Sequence, residues 1–101
     1  MEPIREGIAR RVFDVALQRE LADAIAEFKA RAAAVASPEE MWALEEFLSR
    51  RRREIDATYD YRYSQLVIVF GRLLRERRIE ERDLEGLSEE KISTIRRIAS
   101  L

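Results

Sequence analysis

The chain has 101 residues, 39% of them charged and 47% apolar, with a formal net charge of −1. That length makes one domain rather than two, and near-neutrality leaves no whole-molecule field to steer it toward nucleic acid or an anionic membrane. Without any cysteine or histidine, disulfides, thiolate nucleophiles, the usual near-neutral general base and the commonest metal ligand are all excluded.

From Ile4 to Val35 the apolar residues recur at helical spacing, with Leu17, Leu21, Ile25, Phe28, Ala32 and Val35 as one stripe. No glycine or proline interrupts after Gly7, so the spacing predicts one helix of about 25–30 residues, roughly 40 Å long. The run "SPEE" then marks a boundary. Ser37 is a good N-cap, Pro38 suits the first helical position, and Glu40 completes a capping box. The second helix carries Met41, Leu44, Leu48, Ile55 and Tyr59 on one face, and so short a link makes the two long helices antiparallel neighbours.

The run "LVIVF" has the β-branched content of a strand, but there is no second strand to pair with it. Tyr63, Leu66, Val67, Phe70, Leu73 and Leu74 continue a helical pattern, which reads as a third helix, apolar nearly all round and therefore buried. A short element, "EERDLEGL", leads to Ser88, a second N-cap, and a last helix turning Ile92, Ile95, Ile98 and Ala99 inward. The expected fold is all-α: a single domain with a two-helix stem at 1–60 and a small helical head at 61–101. Two long helices cover one stripe of each other and leave further apolar surface wet, so a second copy should complete the stem. A compact monomeric bundle is the competing arrangement, which the loop lengths permit.

No carboxylate stands in an apolar setting that would shift its pKa, the glycines are scattered rather than forming a phosphate loop, and the "ExxxD" spacings lack the histidines of di-metal bundle sites. No catalytic residue, cofactor or metal site is expected. The arginine run Arg50–Arg53 invites a nucleic-acid or anion reading, but Glu45, Glu46, Glu54 and Asp56 flank it. Pairs such as Glu46–Arg50 would make it a solvated face. Trp42, the single tryptophan, falls about 100° from the apolar cluster of its helix and among charged neighbours. Aromatic anchors ringed by arginine mark protein–protein surfaces; packing against the first helix is the other reading. The N-terminal "MEPIREGIARR" lacks the apolar stretch of a signal peptide, and no apolar run approaches the ~18 residues of a membrane span. A soluble, cytoplasmic protein is expected.

The run "MWALEEFLSRRRREIDATYDYRYSQLVIVFGRLLRE" resembles the fluorescence recovery protein family of cyanobacterial photoprotection. The likeness extends more weakly over "LQRELADAIAEFKARAAAV" and "LEGLSEEKISTIRRIASL". The resemblance implies an all-α homodimer with a helical stem and head, and a non-catalytic role. Such proteins bind the red, light-activated form of the orange carotenoid protein through its C-terminal domain. They speed its return to the orange form and help detach it from the phycobilisome, which ends quenching. Carried over residue by residue, the family tryptophan is Trp42 and its essential arginine is Arg52. The family histidine and aspartate become Glu45 and Glu46, and Met41 takes the aliphatic dimer-contact position. A head aromatic corresponds to Ile68, a basic residue of the last helix to Thr94, and the lysine before "YDYRYS" to Thr58. The resemblance thus implies partner contacts at Trp42, Glu45, Glu46, Arg52, Ile68 and Thr94, and dimer contacts at Met41, Trp42, Glu46 and Arg52. A relative that keeps the dimer but exchanges this partner is the alternative.

Overall fold

The computed structural model describes residues 6–101, so the predicted helix start at Ile4 lies outside the described residues. Within them the chain forms α1 (Glu6–Ala34), α2 (Pro38–Thr58), α3 (Leu66–Arg75) and α4 (Glu89–Ala99), with single 3-10 turns at Tyr63–Gln65 and Glu81–Leu84. The α1–α2 boundary forms as the residue types dictate. Ser37 in extended backbone accepts a hydrogen bond from the Glu40 amide at 3.2 Å, and Pro38 opens the helix. The expected capping box closes differently: the Glu40 carboxylate takes the Ser37 hydroxyl, at 3.1 Å, instead of the Ser37 amide.

α1 and α2 run antiparallel, because cross-helix partners climb along α2 as they descend along α1. Arg31 lies over the Phe47 ring at 4.0 Å, Arg51 reaches Glu27 at 3.7 Å and Glu20 at 3.8 Å, and the Tyr59 hydroxyl meets Glu20 at 2.7 Å. The helical stripe Leu21–Ile25–Phe28 does not face α2. The residues that do, Glu20 and Glu27, lie about 110° around the helix from it.

The core sits at one end of the molecule. Leu66, Val69, Phe70 and Leu73 of α3 pack with Ile79, Leu84, Leu87 and Ile95, and with Ala9, Val12, Phe13 and Ala16 from α1. A cut at residue 60 therefore does not follow the packing: the first half of α1 is a wall of the head, and only its second half belongs to the stem with α2. α3 also departs from the expectation that it is buried all round. Leu66, Val69, Phe70 and Leu73 are inside, but Ile68 is 49% exposed and Tyr63 stays outside the α-helix, in the 3-10 turn before it. The reason is scale: a head this small has nothing to cover the fourth side of α3. Gly71 lets α4 approach α3 closely, since a Cβ there would run into Ile98.

Candidate protein-recognition site

The run that carries Trp42 is one face of α2 seen from outside. Arg51 defines the inward direction by its contacts to α1, and Leu44, Leu48 and Ile55 flank it. Trp42 falls about 180° from Arg51 on the helical wheel. Its indole is 58% exposed, with Glu45 and Glu46 in the turn beside it, both exposed. Burying an indole is worth several kcal/mol of the hydrophobic effect that the isolated chain leaves unused.

The arginine run splits, because consecutive helical residues point about 100° apart. Arg51 is not part of a solvated face. It is inward, its Nε is buried without a hydrogen-bond partner among the described residues, and it joins a network centred on Glu20. That carboxylate receives the Tyr59 hydroxyl, lies 3.6 Å from Arg78 and 3.8 Å from Arg51, while Arg78 also holds Asp23 at 2.6 Å. Burial opposes the charge of Arg78, yet Asp23 and Glu20 raise its pKa above the usual value. Burial and the Glu20 contact likewise push the Tyr59 phenol up. Arg52 points outward, 86% exposed, with Asp56 at 3.9 Å. The expected Glu46–Arg50 pair does not form: among the described residues no carboxylate lies within 4.0 Å of Arg50.

The structure brings only some of the predicted residues together. Met41, Trp42, Glu45 and Glu46 share the outer end of the stem, and Arg52 follows about 15 Å along α2. Ile68 and Thr94 belong to the head; Ile68 is open to solvent, whereas the Thr94 hydroxyl donates back to the Glu90 carbonyl at 2.9 Å. Since about 24 Å of helix separates Trp42 from Thr58, the stem and head residues do not form one patch within the chain.

A larger surface emerges that no single residue announced. Leu21, Ile25 and Phe28 on α1 are exposed, Ile25 to 56%. Met41 and Arg52 stand about 90° from Arg51 in the same rotational sense as that stripe from Glu20, and in an antiparallel pair this puts both sets on one side of the stem. The periodicity of Leu21, Ile25 and Phe28 was the available signal, but it identifies an apolar stripe and not what covers it. Glu20 and Arg78 carried no sequence signal, being ordinary surface types until the tertiary fold joins them, and Tyr59 was legible only as part of the apolar face expected of the second helix. Among the described residues no helix is long and apolar enough to cross a membrane, and no group of acids is placed to hold a metal.

Residues 4–99 match the family described as photoprotection regulator fluorescence recovery protein. The chain is 38% identical over 93 residues to the fluorescence recovery protein of Synechocystis sp., covering 92% of this chain and 85% of that one. Its fold matches the solved structure of the Fremyella diplosiphon protein with a TM-score of 0.92 at 33% identity, over 95% of this chain and 94% of the other. The match to the Synechocystis structure has a TM-score of 0.90 at 37% identity, over 94% and 93%. The all-helical architecture, the residues matched and the identity over nearly the whole length place this chain in the fluorescence recovery protein family of photoprotection regulators.

Proposed function

We propose that this protein acts by binding, without catalysis, as a homodimer. Its partner is the red, light-activated form of an orange carotenoid protein, engaged through that protein's C-terminal domain. It accelerates return to the orange form and helps release the carotenoid protein from the phycobilisome, so that quenching ends. The observation that supports this most is the exposed stem face: Leu21, Ile25, Phe28 and Met41 on one side of the α1–α2 pair, with Arg52 on the same side and Trp42 beyond its edge. On a family member, such a face fits self-association, and its charged aromatic margin fits partner recognition.

Acceleration by binding requires discrimination. A protein that held the red form and the path back to the orange form equally would change no rate. Tighter binding to a form near domain closure lowers the barrier to it. Glu45 and Glu46 sharpen the requirement, because they present two carboxylates beside Trp42 where the family pattern has histidine and aspartate. The partner surface should therefore carry a basic group opposite them.

The test is to add the protein to photoconverted orange carotenoid protein and time red-to-orange recovery in the dark. The parent chain should shorten recovery, and Arg52→Leu should abolish the effect while leaving the helical circular dichroism unchanged. Failure to bind or accelerate several carotenoid-protein homologues would overturn this reading and leave a family relative with another partner.

A further inference from the structure

On the side of α1 away from the stem face, a groove of about 430 Å³ runs between this helix and the turn that follows the second 3-10 segment. Its floor is apolar, formed by Val12, Ala16 and Ile79. Gly86 closes one wall: its φ of 102° makes the tight turn, and a Cβ there would run into Ile8 of α1. The rim is basic. Arg11 and Arg19 line the groove with Val15 between them, and Arg82 stands on the opposite wall.

The charges are unequally spoken for. Arg82 pairs with Glu80, and the Asp83 carboxylate is engaged in accepting the Glu80 amide at 2.8 Å. Asp14, beyond Val15, is held by Arg10 at 3.1 Å. Glu85 also lines the groove, so the wall opposite α1 carries acids beside a paired arginine, and the groove's cations without a carboxylate partner among the described residues are those of α1. Among the described residues no carboxylate lies within 4.0 Å of Arg11 or Arg19. Val15, 42% exposed between them, is an apolar step flanked by two arginines that have no carboxylate partner among the described residues.

We infer that this groove docks an extended segment of a protein partner in which two acidic residues flank an apolar one at alternate positions. The spacing carries the argument. Arg11, Val15 and Arg19 lie on one face of α1 at intervals of about 6 Å, spanning about 12 Å. In an extended peptide, residues i, i+2 and i+4 share a face at about 7 Å intervals and span about 13 Å. An acid–x–apolar–x–acid segment therefore sets its apolar side chain over Val15 and the groove floor while each carboxylate meets a guanidinium, a pairing arginine makes with two parallel hydrogen bonds. The site stands independently of the carotenoid-protein reading. It also lies about 110° around α1 from the Leu21–Ile25–Phe28 stripe, so a copy covering that stripe leaves it open.

Fluorescence anisotropy with the intact chain and a labelled, end-blocked peptide Gly-Ser-Glu-Thr-Leu-Thr-Glu-Ser-Gly tests this. Saturable binding is expected, weakened about tenfold or more in the double variant Arg11→Gln/Arg19→Gln and equally by glutamine in place of both peptide glutamates. Serine in place of the peptide leucine should weaken it too, and Arg97→Gln, on α4, should not. Because two of these comparisons alter only the peptide, a folding defect in a variant cannot imitate the result. Absence of saturable binding at millimolar peptide overturns the inference. So does equal binding of a peptide with its two glutamates adjacent, or unchanged binding by the double variant.

Discussion

Tyr59 links the stem to the head through several kinds of interaction. Its ring meets Phe13 edge-on with centroids 5.5 Å apart, and its hydroxyl donates to Glu20 Oε1 at 2.7 Å. Its amide closes α2 on the Ile55 carbonyl. Tyr59→Phe keeps the ring and removes the hydrogen bond to a charged acceptor. That should cost about 1–2 kcal/mol, read as a lower urea midpoint with an unchanged slope. The phenol also predicts a pH dependence. Burial first, and the Glu20 contact second, raise its pKa, so the folded state keeps a proton that the unfolded chain releases above about pH 10. Stability from this group is complete below that pH and is lost as pH rises further. Tyr59→Phe should shallow the alkaline fall in urea midpoint. Part of the fall should remain, because burial also raises the Tyr61 and Tyr63 phenols.

At the scale of elements, the end of α3 shows how a local turn sets a long-range contact. The Arg78 amide bonds back to the Leu73 carbonyl at 2.8 Å and the Arg77 amide to Leu74 at 3.1 Å. These are the two bonds of a Schellman ending, and they require Arg77 to take a left-handed φ of 61°. The turn delivers Arg78 to Asp23 and Glu20 on α1. Glycine is the residue such a position favours. Arg77→Gly should therefore stabilise the protein by about 1 kcal/mol, seen as a raised urea midpoint; a midpoint that falls would show that the Arg77 side chain contributes something the backbone argument omits. Capping residues made the starts of α2 and α4 legible at Ser37 and Ser88, where each hydroxyl accepts a bond from the third following amide. The end of α3 was not legible, because arginine gives no sign that its backbone will turn left-handed.

For the whole molecule, shape and exposed apolar area go together. The chain measures 55 × 22 × 18 Å with a radius of gyration of 16.5 Å, against about 13 Å for a compact domain of this length. An elongated stem cannot bury both sides of its helices on itself, and Leu21, Ile25 and Phe28 remain exposed as a result. The homodimer proposed above covers them. Light scattering at micromolar concentration should give twice the chain mass. Ile25→Glu should halve it by placing a charge in the middle of the covered stripe. A parent chain that scatters as a monomer would remove the basis for the dimer.

What the sequence determined by itself is what depends on short range. Helical periodicity, the Ser37 and Ser88 caps and the phase of Trp42 are set by residues within a few positions of one another, and all appear in the structure. The family pattern was equally legible, because it lies in one continuous run from Met41 to Glu76. What only the tertiary structure decided depends on which side of a helix another element occupies. It turned Arg51 inward onto Glu20 and Glu27, left Ile68 outside a small head, and drew the first half of α1 into the core. The physical reason is that burial is a property of pairs. A residue's own neighbours in the chain fix the direction in which its side chain points, but whether that direction holds water, a carboxylate or another helix is settled by elements dozens of residues away.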